Sequence, residues 1–190
     1  MRPSPAARGY FGVGVEGVSK PMNLGALLRT AHAFGASFAF TIAPDLRLRD
    51  VKRSDTSHAP HHLPFYTFAS VEELMLPRGC ALVGVELLDE AAELPSFRHP
   101  QRAAYVLGPE RGSLSAELTR VCDFLVRIPT RFCVNLSIAG AIVMYDRTLS
   151  LGRFGERPLV PGDVPVLPPL HPHGAPIWVK KRRRRAAAGP

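Results

Sequence analysis

The residues able to do chemistry stand in three pairs: Asn23 with Arg29, Glu110 with Arg111, and Arg131 with Asn135, with Ser137 just behind the last. An arginine guanidinium grips phosphate or carboxylate through a planar fork of N–H groups. An asparagine amide offers both a donor and an acceptor to a hydroxyl or a base edge. Such a set suits the holding of a polar, anionic ligand. It does not suit redox chemistry or metal-assisted hydrolysis. Other familiar chemistries lack their residues. There is no GxxxxGK[ST] phosphate loop and no GxGxxG dinucleotide fingerprint, since Gly12 and Gly14 lie inside a strand candidate. There is no GxSxG elbow and no evident Ser-His-Asp set.

Those pairs need elements to place them. Tyr10–Val15 reads as a buried strand, followed by a loop and a helix over Leu24–Phe34. In that helix Leu24, Leu27, Leu28, Ala31 and Phe34 form one apolar stripe, Asn23 is the expected N-cap and Gly35 the expected C′ residue. Ser37–Ile42 is the next strand, which completes a right-handed βαβ unit. Phe65–Phe68 and Cys80–Leu87 are further strands. Ser70 and Glu73 have capping-box spacing and predict a short helix ending at Met75. Residues 88–101 show no period. Ala103–Leu107 and Phe124–Ile128 are strands that deliver loops at 108–112 and 128–135, with a short helix, Ser115–Arg120, between them. The apolar run Leu136–Tyr145 is a helix with two apolar faces. One face can pack on a sheet, and the other needs a second partner. The predicted fold class is α/β, an open and mostly parallel sheet with helices on both faces. In such sheets ligands sit in the loops at the strand C-termini.

Composition bounds the rest. Hydrophobic residues make up 46% of the 190 and charged residues 21%, enough for one folded body. Residues 1–154 are the predicted body. Residues 155–190 are a predicted extended tail, with seven prolines between 158 and 176. Lys180, Lys181 and Arg182–Arg185 supply six of the net eight positive charges, so the body itself is nearly neutral. No apolar run is long enough for a transmembrane helix, and the N-terminal residues lack the apolar core of a signal peptide. The expectation is a cytoplasmic protein. Cys80, Cys122 and Cys133 have neither disulfide nor CxxC spacing and are expected to be buried.

Three stretches, in order and at consistent spacing, carry a family resemblance. They are Asn23-Leu-Gly-Ala-Leu-Leu-Arg29-Thr-Ala-His-Ala-Phe-Gly35, Tyr105-Val-Leu-Gly-Pro-Glu110-Arg-Gly-Ser-Leu-Ser115, and Ile128-Pro-Thr-Arg-Phe-Cys-Val-Asn135 running on to Asp146. Over residues 10–150 the chain resembles the SpoU (TrmH) family of RNA 2′-O-ribose methyltransferases, within the knotted SPOUT class. The resemblance implies that residues 103–146 form a deep trefoil knot. It implies S-adenosylmethionine as cofactor, bent between the two loops and touching Leu107, Gly108, Gly112, Ile128, Pro129, Cys133 and Leu136. It also implies roles for Asn23, Arg29, Glu110 and Asn135. Arg29 would hold phosphate and stabilise the alkoxide forming at a ribose 2′-OH. Asn23 would orient Arg29 or the RNA, Glu110 would brace the first motif, and Asn135 would order the knot loop. The third motif departs from many relatives, because Cys133 stands at the usual serine position and the loop is shorter.

The implied partners are RNA, with tRNA favoured over rRNA, and a second copy of the chain docked through the 136–146 helix, without membrane or metal. Arg111, Arg131, Lys180, Lys181, Arg182 and Arg183 are the expected phosphate contacts. No RNA-binding segment is expected before the first strand, so RNA capture falls to the dimer surface, the basic tail and the 44–64 loop. That loop holds His58, His61 and His62, read as a solvated or RNA-facing stretch because no Cys or carboxylate cluster completes a metal site. Two other functions compete: a non-catalytic RNA-binding module that keeps the fold, and an RNA base methyltransferase.

Overall fold

The computed structural model describes residues 9–46, 63–152, 154 and 160–163. The tail cations 180–183 and the three loop histidines lie outside the described residues. The elements run β1 (Tyr10–Glu16), α1 (Pro21–Ala33), β2 (Phe38–Ile42), β3 (Phe65–Phe68), β4 (Ala81–Val85), β5 (Ala92–Glu93), a 3-10 turn (Leu94–Ser96), β6 (Arg102–Leu107), α2 (Ala116–Val121), β7 (Phe124–Arg127) and α3 (Leu136–Leu151). The strands form a seven-stranded sheet in the order β3-β2-β1-β6-β4-β7-β5. Every neighbouring pair is parallel. The second unit begins at Gly152 and is described at residues 152, 154 and 160–163, where Asp163 N–H donates to the Val160 carbonyl.

Alternation along the central strands builds two cores. Val13, Val15, Tyr105 and Leu107 face α1 and α3. Ala104, Val106 and Leu82 face the other way, toward Leu118 of α2 and the rings of Phe38 and Phe40. Gly12 and Gly14 also lie on that second face. A Cβ at Gly12 would stand 2.3 Å from the Phe38 ring, and one at Gly14 would stand 2.4 Å from the Phe40 ring. These two glycines make room for aromatic rings.

Three sequence expectations are corrected. First, α1 begins at Pro21, three residues earlier than predicted. Lys20 is the N-cap residue and Asn23 lies inside the first turn. Proline at the first helical position loses no bond, since that N–H would be unpaired anyway. Gly35, with φ of +76°, does follow the helix end as expected. Second, residues 70–75 are turns rather than a helix. The Glu73 carboxylate accepts from Ala69 N–H at 3.2 Å, one residue before the expected cap. Third, the run from Leu136 continues as helix to Leu151, six residues past Tyr145.

That extension brings Arg147 into the core, at 5% exposure. Its guanidinium donates to the carbonyls of Pro100 (2.6 Å), Gln101 (2.8 Å) and Tyr10 (3.4 Å) and to the Tyr105 hydroxyl (3.1 Å). Tyr105 in turn lies 2.6 Å from His99 Nδ1, and His99 Nε2 lies 2.8 Å from Asp146 Oδ2. Because the Tyr105 oxygen already accepts from Arg147, its own hydrogen goes to Nδ1. His99 is therefore neutral, with its proton on Nε2 facing Asp146. Burial pushes the His99 pKa down, and the Asp146 carboxylate only partly offsets this. Below about pH 6.5 the unfolded chain takes up this proton more readily than the folded one, so stability falls with pH. Thermal melting of the wild type is expected to drop between pH 7.5 and 5.5. His99→Gln should flatten that part of the profile.

Candidate active site

Four loops meet at the C-terminal end of the sheet. They follow β1 (Gly17–Lys20), β4 (from Glu86), β6 (from Gly108) and β7 (from Ile128). Between them lies a cleft of about 330 Å³. Its walls are apolar where the strands and α3 supply them: Val85, Leu107, Ile128, Val134, Leu136 and Ala139. Its polar lining comes from Lys20, Asn23, Glu86, Glu110, Thr130 and Asn135.

Glu110 ties the first motif to the second. Its carboxylate accepts from Ser19 N–H (3.1 Å), Ser19 Oγ (3.1 Å), Lys20 N–H (3.1 Å) and Asn23 Nδ2 (3.0 Å). A side chain ninety residues away thus closes the start of α1, where no local side chain caps it. Burial alone would raise the Glu110 pKa, but the donors Asn23 and Ser19 hold it below the usual carboxylate range. The stabilisation is complete above the ordinary pKa and is lost as pH falls through the lowered one. Glu110→Ala is expected to cost about 1–2 kcal/mol in denaturant unfolding, comparable with losing a helix cap.

Asn23 ties the first motif to the third. Its Oδ1 accepts from Asn135 Nδ2 at 3.2 Å. The Asn135 Oδ1 in turn accepts from Ser137 N–H (2.9 Å) and Ser137 Oγ (2.7 Å), and the Asn135 carbonyl accepts from Ala139 N–H (2.8 Å). Asn135 therefore caps α3 and binds Asn23 at once. Two further carboxylates, which the sequence reading did not single out, hold the loop after β6. Glu86 Oε2 accepts from Leu114 N–H at 2.8 Å, and Glu16 Oε2 from Ser115 N–H at 2.8 Å. Both read as the polar ends of apolar strands, and their partners lie 28 and 99 residues away.

The expected site residues divide. Asn23, Glu110 and Asn135 are brought together, and Leu107, Gly108, Gly112, Ile128, Cys133 and Leu136 all line the cleft. Gly112 has φ of +106°, a conformation only glycine adopts readily. Pro129 is not among the lining residues. Cys133 lines the cleft but is exposed, contrary to the expected burial, because it lies in the exposed loop segment 131–133. Cys80 and Cys122 are half-buried. Arg111 and Arg131 are exposed beside the cleft-lining segments and outside its lining. Arg29 also falls outside it and is exposed. Six residues past Asn23, it sits about 9 Å further along α1 and about 240° around it.

The second face of the long helix is open. Gly140 packs against α1 of the same chain, where a Cβ would stand 2.3 Å from Leu27 Cδ1. The missing side chain at Gly140 thus lets α3 approach α1 closely within the chain. Ile138 and Tyr145, on the other face, are 53% and 55% exposed.

Among the described residues no helix is long and apolar enough to cross a membrane, and no group of three or more His, Cys, Asp or Glu is placed to hold a metal ion. A family model described as the SpoU rRNA Methylase family matches residues 11–145. An uncharacterized tRNA/rRNA methyltransferase of Archaeoglobus fulgidus is 32% identical over 77% of this chain and 66% of its own length. The 23S rRNA (guanosine-2′-O-)-methyltransferase RlmB of Nitrosomonas europaea is 31% identical over 70% of this chain and 53% of its own. An AdoMet-bound rRNA methyltransferase from Sinorhizobium meliloti superposes with a TM-score of 0.66 at 25% identity, over 76% of this chain and 57% of that one. The chain thus spans between 53% and 66% of the length of these three proteins.

Proposed function

The chain belongs to the SpoU methylase family, and from that premise we propose that it methylates a ribose 2′-hydroxyl of a structured RNA with S-adenosylmethionine as donor. The observation that carries the reading is the hydrogen-bonded chain Glu110–Asn23–Asn135 at the mouth of an apolar-walled cleft.

The residues present fit the cofactor. The cleft volume lies in the usual range for small-molecule sites, about 300–1,000 Å³. Leu107, Ile128, Leu136 and Ala139 offer apolar walls to a base, and Gly108 and Gly112 also line the cleft. Bound there, S-adenosylmethionine supplies an electrophilic methyl on a positively charged sulfur. The protein's share is alignment. Glu110 and Asn135 hold Asn23 at the mouth, and Lys20 beside them offers an ammonium to RNA phosphate.

Arg29 is the residue assigned to the reacting hydroxyl. At its ordinary pKa a guanidinium is no base, so its part is to hold phosphate and stabilise the alkoxide as it forms. Since Arg29 does not line the cleft of its own chain, the reading supplies it from a second copy. Ile138 and Tyr145 on α3, with Met22 on α1 (76% exposed), offer the apolar surface for that copy. The strand order, with β6 set between β1 and β4, supports the threaded path expected for residues 103–146. Among RNAs the reading favours tRNA over rRNA.

Labelled methyl transfer to total RNA, followed by nuclease digestion and mass spectrometry, tests the proposal. A ribose-methylated nucleotide that resists 2′-OH-dependent cleavage is the expected product. A methylated base, or no transfer by a folded protein that binds both RNA and cofactor, would refute it.

A further inference from the structure

Glu86 presents a carboxylate that the Glu110–Asn23–Asn135 chain does not use. It follows β4 directly, is half-buried, and lines the cleft. Each of its oxygens accepts one backbone N–H: Oε1 from Leu87 at 2.9 Å and Oε2 from Leu114 at 2.8 Å. An ionised carboxylate has about four acceptor sites, two on each oxygen. One therefore remains on each oxygen of Glu86. Among the described residues no cation forms an ion pair with it. The carboxylate is thus fixed in orientation and half-satisfied, at the wall of a small-molecule cleft.

Its surroundings decide what it can read. Gly108 lies directly against it, and a Cβ there would stand 3.0 Å from Oε2. Only a residue without a side chain leaves that oxygen approachable. In sheet order β4 is separated from β1 by β6, so Glu86 sits away from Asn23 and the reacting end. A ligand reaching from Asn23 into the cleft brings its non-reacting part to Glu86. Two neighbouring oxygens with one open acceptor site each match two neighbouring O–H donors. This is the chemistry by which a carboxylate at a strand end holds ribose in other α/β folds.

We propose that Glu86 is a specificity residue, accepting hydrogen bonds from the vicinal 2′- and 3′-hydroxyls of the cofactor's own ribose. This rests on the reading of the cleft as an S-adenosylmethionine site. Glu86 is a binding group and takes no part in the methyl step.

Calorimetric titration of the full chain provides the test, with S-adenosylhomocysteine and its 2′,3′-dideoxy analogue as ligands. These lack the charged sulfur, so a general electrostatic effect of the carboxylate is reduced. The wild type should bind the diol about 10- to 100-fold more tightly, the range for hydrogen bonds to a charged group. Glu86→Gln should bring the two ligands to within a few-fold of each other. Equal binding of both ligands by the wild type would overturn the proposal without any variant. So would a Glu86→Gln protein that keeps the full preference, or one that loses affinity for both ligands equally, since Glu86 would then only position the Leu114 loop. A folded wild type that binds neither ligand would remove the cofactor site itself. Tight binding without diol preference removes the role of Glu86 alone.

Discussion

Arg29→Ala is expected to lower methyl transfer by about two to three orders of magnitude while cofactor affinity stays within a few-fold of the wild type. The first half follows from electrostatics. Removing one preorganised donor to a developing oxyanion costs about 10²–10³ in rate. The second follows from position, since Arg29 lies outside the lining of the cleft. Single-turnover transfer, paired with calorimetric titration of cofactor, separates the two. A matching fall in both would mean that Arg29 supports the cleft. Arg29→Lys should recover little, because an ammonium cannot reproduce the fork that spans phosphate and hydroxyl. Mixing Arg29→Ala with a protein inactivated at Asn135 should restore part of the activity if each site draws its arginine from another copy. Failure of that complementation, with hetero-dimers present, would place Arg29 and the cleft in one chain.

The largest effect on stability is expected at the opposite end of the sheet. Arg147→Met should destabilise the fold by about 3–5 kcal/mol, the cost of leaving buried polar groups without their charged partner. The carbonyls of Pro100 and Gln101 and the Tyr105 hydroxyl would lose their strongest donor. The guanidinium also lies 5.2 Å from the Phe11 ring centroid and 5.9 Å from that of Tyr105, so cation–π attraction is lost as well. For a chain of this size the melting midpoint should fall by roughly 10 °C. A shift of only one or two degrees would show that the network is solvated rather than structural. Arg147→Lys is a useful companion, since it keeps the charge but reaches fewer of the acceptors.

What could be read from the chain and what could not divide along the range of the forces involved. The strands were legible because burial on both faces leaves a nearly continuous apolar run, as in Tyr10–Glu16 and Arg102–Leu107. The three motif loops were legible because glycine, proline and paired polar residues mark them. Residues 88–101 looked formless because their order comes from afar. Leu94 is buried in the main core, and His99 and Pro100 are held by α3 residues 47 positions away. The helix expected near 70–75 shows the reverse error. A local cap signal was present, but Leu74 and Leu76 pack against the second core and Pro77 ends the segment. At Asn23 the local signal was again misleading, because Pro21 starts the helix and Glu110 does the capping. The reach of Glu16 and Glu86 depends on which strands lie side by side, and strand order is not written in any one stretch.

The hydrogen bonds joining Glu110 to Ser19 and Asn135 to Asn23 span 91 and 112 positions. During translation, then, the first motif leaves the ribosome with nothing to bind. Its loop stays unbraced while some ninety further residues are made, and the cleft closes only once α3 has emerged. Contacts this distant make folding slow, and a truncated nascent product ending before residue 135 would carry two of the three motifs and no working centre.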